Sequence, residues 1–473
     1  MPLCEPILGK RRGIEVAFAS SWRMPTIKRT LIAFCTIAGL ITNATAGSQT
    51  TNSFNYPLTI VDVVELALIQ NPTILNQIEE IKRNQGLVLQ ARAALMPQVQ
   101  GTAGYSQQEP TIVQNIVNEN WTLQITITQL LWDGGAALAN GHEAKSNEEA
   151  AYYTLRDAID IVVDTVRTQF YRVILDRALV EVQEEAVNLL KSEVDDQQGR
   201  VNAGTGTRFD VLQAQTQLQN QLPALIAAQK NYLLAQATLA KVLGIPAGRQ
   251  YSSEEPLPLS GALDVEPFQV DLEKGLAIAR VRRPLLKADR EKIAAAVANR
   301  SVARAGFQPN VSANAGLESE STPIGNDLRD VANGWQFGVT SQWNILDGGN
   351  TYGNVKAANS QLEETKITLN DAERQVEVDV FTAVSNLHRA KENMIAAQKG
   401  VEVSLRSFSE AYKRRTEGKG SQLDVFDARN QLTLARSTFL RSEYQYLSGV
   451  AQYQYVTGTE TTYNGDFDRM HHR

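Results

Sequence analysis

Residues 120–135 read NWTLQITITQLLWDGG, and residues 334–349 read GWQFGVTSQWNILDGG. In both stretches apolar and polar side chains alternate ahead of an Asp-Gly-Gly, which is the period of a β-strand whose two faces lie in different surroundings. After the first Asp-Gly-Gly no proline occurs between Ala136 and Val201, so a helix can continue there without interruption. The pair of stretches predicts a strand that passes directly into a long helix, twice in one chain.

The repetition extends over most of the chain. At an offset of 214 residues the matched pairs include Arg200/Arg414, Gly204/Gly418, Gly206/Gly420, Asp210/Asp424 and Tyr232/Tyr446. Upstream of Val99 the offset is 212, so the two copies differ in length between Val99 and Trp121. This period exceeds the roughly 20–50 residues of a solenoid unit, so it predicts a duplicated, domain-sized element.

The duplication divides the 473-residue chain into five predicted segments. They are an export signal at 1–46, a first repeat at 47–244, a linker at 245–268, a second repeat at 269–458 and a polar C-terminal tail at 459–473. Each repeat is predicted to contain a helix, two strands, a long helix, a tip turn and a return helix.

The first 46 residues have the order of parts found in an export signal. Lys28-Arg29 precedes an apolar run at 31–41, Ala44-Thr-Ala46 offers a small-residue cleavage site, and Met24 is a possible true start. The run is about half of the roughly 20 residues that a membrane-spanning helix needs. The alternative interpretation is a short buried helix.

Composition excludes several classes of function. Both cysteines, Cys4 and Cys35, fall within the predicted export signal, so the mature chain would have neither disulfides nor a catalytic thiol. The formal net charge of −6 becomes about −10 when residues 1–46 are removed. A chain of this charge offers no basic surface for nucleic acid.

Apolar residues recur at seven-residue intervals along the proline-free stretch, at Tyr152, Ile159, Val166, Val173, Val180, Val187, Val194 and Val201. The second copy repeats the pattern at Val380, Leu387, Met394, Val401 and Phe408. A sustained heptad produces a left-handed coiled coil. Each repeat is predicted to hold one helix of about 66 residues, roughly 100 Å long, and a return helix of about 37 residues. The alternative is an ordinary helical bundle with heptad-like packing.

The alternating segments predict four strands of about 9–11 residues, a length suited to a membrane-spanning strand. In the strand from Trp121 to Thr128, one face is apolar and the other carries threonine and glutamine. Polar residues without charge are expected of a water-filled lumen, whereas a half-buried sheet packed on a helix is the alternative. The segments that join the strands, about 106–120 and 318–334, are predicted to be outward loops.

Four strands cannot form a closed barrel, and a barrel in lipid must close because unpaired edge groups are costly there. Since the smallest known barrels have about eight strands, the sequence predicts an oligomer in which two or three copies supply eight or twelve.

The order of motifs resembles the TolC-type outer-membrane efflux proteins over about residues 57–458. A signal peptide precedes Asn71-Pro72 and Leu95-Met96-Pro97-Gln98, and a strand pair then ends in Leu131-Trp132-Asp133-Gly134-Gly135. A very long helix, a turn from Arg200 to Val211 and a returning helix complete the pattern, and the whole is duplicated.

The resemblance implies a fold and a set of partners. It implies a homotrimer whose strands form a shared twelve-stranded barrel in outer-membrane lipid, continuing into a periplasmic α-helical coiled-coil barrel. An inner-membrane transporter and a periplasmic adaptor protein would dock on this tunnel, which would serve as the exit duct of tripartite efflux or type I secretion. The expected location is the bacterial outer membrane, extending into the periplasm.

The two tip turns are candidate adaptor contacts in this resemblance. The residues concerned are Arg200, Gly204 and Gly206 in the first repeat and Arg414, Gly418, Lys419 and Gly420 in the second. The glycines are expected to permit positive φ where the hairpin reverses, which explains them without any partner. The two arginines are suited either to the helix C-terminus or to a bound partner.

Asp424 and Asp427 match the family's pair of aspartates that ring the closed periplasmic aperture. Three-fold symmetry would place three copies of each around the axis, which should favour cations and raise some carboxylate pKa values by like-charge repulsion. In the first repeat Asp210 matches Asp424, but Gln213 replaces the second aspartate. The simpler interpretation of Asp210 is that its charge favours the N-terminus of a helix.

No enzymatic, cofactor or metal motif stands out. The four histidines form no i, i+4 pair with carboxylates, and Gly418-Lys419-Gly420-Ser421 lacks the spacing of a phosphate loop. Asp133 and Asp347 are interpreted as helix caps. Two alternative functions stay open at this point, namely an exported structural coiled coil without channel activity and a passive porin. The cargo, whether drug, metabolite, lipid or protein, is not specified by the sequence.

Overall fold

A computed structural model describes residues 57–108, 118–245, 257–321 and 328–459. The predicted export signal lies outside the described residues, as do most of the predicted tail, the first part of the linker and the centres of the two strand-joining segments. The segment boundaries at those places therefore stay predictions.

The described elements follow the same order in both repeats. The first repeat contains α1 (Ile60–Gln70), α2 (Pro72–Ala93), β1 (Gln98–Gln108), β2 (Asn118–Trp132), α3 (Ala136–Asn202) and α4 (Arg208–Val242). The second contains α5 (Leu272–Arg282), α6 (Pro284–Ala305), β3 (Asn310–Ser321), β4 (Val331–Gln342), α7 (Asn350–Thr416) and α8 (Gln422–Thr457).

The strands of the two repeats form one antiparallel four-stranded sheet in the order β1-β2-β3-β4. Ile127 lies opposite Val99 on one side and Ala315 on the other, so the apolar side chains share one face. On β2 the apolar side chains Leu123, Ile125 and Ile127 are exposed, whereas the threonine and glutamine side chains of the opposite face are half-buried. β1 and β4 are the sheet edges, and each has a strand neighbour on one side only among the described residues.

Three strands are longer than the predicted 9–11 residues, at 15, 12 and 12 residues for β2, β3 and β4, whereas β1 has 11. The predicted loops at 106–120 and 318–334 were wrong at their ends, because pairing continues through Gln107↔Glu119 and Glu320↔Ala332. The side chains there no longer alternate between apolar and polar. A ladder of backbone hydrogen bonds can continue without that pattern.

The two long helices confirm the predicted helix length. α3 and α7 each have 67 residues, so each spans roughly 100 Å. Heptad residues such as Ile159, Val166 and Val173 are fully buried, where they pack with residues of α1, α4 and the linker. No helix within the described ranges is both long enough and apolar enough to cross a membrane.

The strand-to-helix junctions are capped as predicted for Asp133 and Asp347. The Asp133 carboxylate accepts hydrogen bonds from the backbone N–H of Gly135 at 3.0 Å and of Ala137 at 2.7 Å. Asp347 makes the equivalent bonds with the N–H groups of Gly349 and Thr351. Each aspartate therefore satisfies N–H groups that a helix start leaves without partners.

The described part of the linker packs against the helices. Leu257 and Leu259 are buried in the core of the first repeat, and Leu259 forms a parallel bridge with Leu58. Further along, Phe268 packs edge-to-face against Tyr453 of α8, with ring centroids 5.7 Å apart.

The two repeats differ at one buried junction. In the first, Asn71 caps α2 and its Nδ2 donates to the carbonyl of Val242 at the end of α4, at 2.6 Å. Its counterpart is Arg283, which precedes α6 and donates from Nη1 to the equivalent carbonyl of Val456 at 3.2 Å.

Arg283 makes further contacts that Asn71 has no means to make. It is only 4% exposed, and its guanidinium lies 3.9 Å from Asp157 of α3 and 3.9 Å from Asp379 of α7. Its Nη2 donates to the Tyr455 hydroxyl at 2.9 Å. The Cζ atom of the guanidinium lies 4.5 Å from the centroid of the Tyr455 ring. We call Arg283 with Asp157, Asp379 and Tyr455 the arginine hub, since it joins α3 of the first repeat to α7 and α8 of the second.

Candidate functional site at the helix tips

Each long helix ends in a tight reversal of the same kind. At the end of α3 the N–H of Thr205 donates to the carbonyl of Arg200 at 2.9 Å, and that of Gly204 donates to Val201 at 3.0 Å. These two bonds define a Schellman motif, which needs a residue with positive φ. Gly204 supplies it with a φ of 72°.

The second tip repeats this geometry. The N–H of Lys419 donates to the carbonyl of Arg414 at 2.8 Å, and that of Gly418, which has a φ of 73°, donates to Arg415 at 3.0 Å. The Lys419 ammonium pairs with Glu417 at 3.0 Å.

Gly206 and Gly420, the second glycine of each turn, do not have positive φ, so the prediction that they would was wrong. They are needed because the backbone there passes too close to the preceding helical turn for a side chain. A Cβ on Gly206 would lie 2.9 Å from the Cβ of Arg200, and one on Gly420 would lie 3.1 Å from that of Arg414. The chain thus returns so closely over the preceding helical turn that a side chain would collide with it.

Both return helices begin with a reciprocal capping box. The Asp424 carboxylate accepts from the Ser421 N–H at 3.0 Å, and the Asp424 N–H donates to the Ser421 hydroxyl at 3.1 Å. Thr207 and Asp210 form the same box at the start of α4. These hydrogen bonds hold the pKa of Asp424 and of Asp210 below the usual range. Within one protomer the pKa of Asp424 is therefore lowered, whereas like-charge repulsion in a ring of carboxylates was expected to raise it.

Four of the predicted tip residues line one groove between α7 and α8. It has a volume of about 420 Å³, and its lining includes Arg414, Gly420, Asp424 and Asp427. Arg414 is held along the wall by a hydrogen bond from its Nε to Glu410 at 3.1 Å. The groove therefore presents several exposed carboxylates beside a single guanidinium. Arg200, Gly204 and Gly206 belong to the other hairpin and do not line it.

A buried aromatic side chain that the sequence did not single out holds the second hairpin against the first. Phe426, between the two aspartates, is 2% exposed and packs with Leu190 of α3 and Ala214 of α4. Its counterpart in the first repeat is Leu212, which is 53% exposed. The guanidinium of Arg429 lies over the Phe426 ring at 5.4 Å, and burial lowers the pKa of Arg429.

Two ion pairs also cross between the hairpins. Nη1 of Arg415 lies 3.0 Å from the Glu193 carboxylate, and both side chains are largely buried. Arg436 pairs with Glu185 at 2.7 Å in a more exposed position. A buried pair is costly to break from one side, because the remaining charge loses its partner. We call the Arg415–Glu193 pair the tip latch.

Comparison with known proteins identifies the family from both halves of the chain. The sequence model of the outer membrane efflux protein family matches residues 63–245 and again residues 276–459. The chain belongs to the outer membrane efflux protein family. The double match agrees with the duplication, and the family consists of non-enzymatic transport proteins of the outer membrane that extend into the periplasm.

The relatives of this efflux protein are distant but cover most of it. The chain is 23% identical to the outer membrane efflux protein BepC of Brucella suis over 369 residues, or 78% of each chain. It is 24% identical to nodulation protein T of Rhizobium leguminosarum over 405 residues, which cover 82% of this chain and 83% of the other. The CmeC outer membrane channel of Campylobacter jejuni superposes with a TM-score of 0.76 at 17% identity, covering 87% of this chain and 88% of that one. The last similarity shows the fold.

Proposed function

We propose that this efflux protein acts as a homotrimer, in which three sheets of four strands close into a twelve-stranded barrel. The observation that carries the proposal is the sheet itself, which has one apolar face. Its two edges, β1 and β4, each pair on one side only within the part of the chain that the structure describes. In lipid such edges are tolerated only when another strand covers them. A second copy can supply β4 against β1, and three copies complete a barrel.

Exposed apolar side chains on the helices support the same assembly. On α4 they include Leu212, Ile226 and Leu234, and on α7 they include Ile367, Val378 and Phe381. Stripes of this kind on long helices are the surfaces that coiled coils bury. Packing of these stripes between copies would extend the barrel into a periplasmic α-helical coiled-coil tunnel.

The tunnel would serve as the exit duct of a tripartite efflux or type I secretion system. Cargo would pass from an inner-membrane transporter, through a periplasmic adaptor, across the periplasm and the outer membrane. The adaptor would contact the tips around Arg200, Gly204, Gly206, Arg414, Gly418, Lys419 and Gly420. The exposed arginine and lysine side chains there suit an acidic or carbonyl-rich partner surface.

The duct would be gated at these tips. Asp424 and Asp427 are proposed to form the constriction, because both carboxylates are exposed along one groove at the start of α8. Phe426 attaches that part of α8 to the first hairpin, and the tip latch attaches the end of α7 to it. Release of these contacts would let the second hairpin move outward and widen the aperture.

Single-channel conductance in planar bilayers tests the duct and the constriction together. The wild type is expected to give small, cation-selective currents, and Asp424→Ala/Asp427→Ala is expected to give currents several-fold larger with weaker cation selectivity. Asp210→Ala is the matched control, since it removes the same type of capping box but no proposed ring carboxylate. Equal currents in all three chains would overturn the constriction. An inserted, folded oligomer without any current would favour the structural coiled coil.

The latch has its own test in the same recording. Arg415→Gln is expected to raise the open probability by roughly tenfold, since the loss of about 1.4 kcal/mol from the closed state changes the equilibrium by that factor. Arg406→Gln, which removes an exposed guanidinium paired with Glu402 on the same helix, is expected to leave the open probability unchanged. If the two variants open equally, the latch has no special role.

A further inference from the structure

Large apolar side chains are exposed at the helix-side end of the sheet in both repeats. They form three equivalent pairs, Leu131 with Ile345, Trp132 with Leu346, and Leu138 with Tyr352. Their exposure ranges from 48% for Trp132 to 91% for Leu346. We call these six residues the junction collar, since they surround the points where β2 passes into α3 and β4 passes into α7.

The collar continues the apolar face of the sheet. The register of β2 against β3 shifts between Leu130 and Trp132, so that Trp132 lies opposite Val311. Val311 points to the same side as Ala315, which is the partner of Ile127 on the apolar face. The bulge therefore turns Trp132 onto the face that carries Ile127.

Trp121 and Trp132 mark the two ends of this face on β2. The strand between them is about 35 Å long at roughly 3.3 Å per residue, and a tilt of about 40° reduces its height to about 27 Å. This matches the apolar band of an outer-membrane barrel, which is about 25 Å tall. The collar would then lie at the boundary on the periplasmic side, where the lipid headgroups begin.

Basic side chains accompany the collar at equivalent positions. Arg92 in the last turn of α2 and Arg304 in the last turn of α6 are exposed, and neither guanidinium has a hydrogen bond or ion pair within the described ranges. Their carbonyls accept from the N–H groups of Leu95 and Phe307, which holds each arginine next to the start of a strand.

The acidic side chains of the same region are already engaged. Asp133 and Asp347 use both carboxylate oxygens to cap α3 and α7. Each carboxylate keeps its negative charge, but that charge is directed at the N-terminus of a helix, whose dipole offsets it. The guanidinium groups of Arg92 and Arg304 are instead exposed to solvent in both repeats.

We propose that the junction collar and Arg92/Arg304 form a binding surface for anionic phospholipid headgroups in the leaflet that faces the periplasm. This rests on the proposed function in that the sheet must lie in the membrane. The occupant is lipid rather than protein because the collar is continuous with the face that lipid would cover, and because it recurs in both repeats. Arginines at this depth attract anionic headgroups, an effect that salt screens.

Tryptophan quenching by brominated lipids tests this surface directly. Full-length protein carrying Trp22→Phe, Trp121→Phe and Trp335→Phe would report only from Trp132 and Trp343 near the collar. It would be reconstituted in phosphatidylcholine vesicles containing about 20 mol% brominated phosphatidylglycerol or brominated phosphatidylcholine. We expect a preference of about fivefold for the anionic lipid at low salt, falling towards unity in high salt.

The charge requirement is tested in the same background. Arg92→Gln/Arg304→Gln is expected to abolish the preference while quenching by phosphatidylcholine persists. Arg282→Gln/Arg374→Gln is the matched control, because it removes two exposed arginines from α5 and α7 and should keep the preference.

Any of three results would overturn the proposal. The absence of quenching by either lipid would mean that protein covers the collar. Equal quenching by both lipids, or a preference for the anionic lipid that persists in Arg92→Gln/Arg304→Gln, would mean that the two arginines do not select the headgroup. Conductance measured in pure phosphatidylcholine separates this from failure of the duct. A chain that conducts but shows no lipid preference would contradict only the proposed headgroup-binding surface. A chain that neither inserts nor conducts would contradict both that surface and the proposed duct.

Discussion

Glu443 is a single residue whose environment sets a pH response. It lies on α8, and partial burial raises the pKa of its carboxyl to about 7, with a further contribution from the negative charge of Asp264 in the linker. The folded chain therefore binds this proton more tightly than the unfolded chain does. Stability is expected to fall as pH rises from about 4.5 to about 7, because in that range only the unfolded state gains from ionisation.

Replacement by glutamine should remove this response. We expect Glu443→Gln to melt about 1–2 °C above the wild type at pH 8 and to match it near pH 5, as scanning calorimetry of the detergent-solubilised protein would show. Glu392→Gln, an exposed substitution on α7, is the control and should follow the wild type at both values. A gain for Glu443→Gln that is the same at pH 5 and pH 8 would contradict the titration argument.

At the scale of elements, the first turns of α8 are attached to the first hairpin mainly by Phe426. Its truncation in Phe426→Ala should destabilise this attachment by about 3–5 kcal/mol, the usual cost of deleting a buried aromatic ring. Hydrogen–deuterium exchange at the start of α8 is expected to accelerate accordingly. Leu423→Ala, one turn earlier and 52% exposed, should leave exchange nearly unchanged. Slow exchange in Phe426→Ala would mean that the latch alone holds the tip.

The sequence predicted the elements well because their patterns are local. The heptad around Val166 and Val173 and the alternation from Trp121 to Thr128 depend only on neighbouring residues, and both correspond to the observed helix and strand. The tip latch could not be predicted in this way. Its partners are 222 residues apart, and they meet only because the two hairpins lie side by side.

A comparison of the two repeats could have found some of these missed contacts. Where the copies face equivalent surroundings they keep the same residue, as with Asp133 and Asp347, which accept from the same two backbone N–H positions. Where they differ, as with Leu212 and Phe426, the two positions have different neighbours. At this pair of positions, the change from leucine to phenylalanine marks a contact between the repeats.

At the scale of the whole molecule, the arginine hub makes the two repeats cooperate in stability. Asn71 serves only its own repeat, whereas Arg283 reaches Asp157 of α3 as well as Asp379 of α7. Burial raises the pKa of Asp157, and the charge of Arg283 opposes that rise. The guanidinium therefore offsets part of the cost of burying this carboxyl group.

Arg283→Asn would give the second repeat the residue that the first repeat has, so α6 should gain the side-chain cap that it lacks, while the carboxylates lose their partner. We expect a loss of roughly 3–5 kcal/mol in the free energy of unfolding, because Asp157 would be left buried and unpaired. Adding Asp157→Asn should recover part of this loss, since it removes the unpaired charge. Arg282→Asn, an exposed neighbour, should cost no more than about 0.5 kcal/mol. The measurement is thermal melting of the wild type, Arg283→Asn, Arg283→Asn/Asp157→Asn and Arg282→Asn. If adding Asp157→Asn lowers the stability of Arg283→Asn further, packing rather than charge pairing joins the repeats.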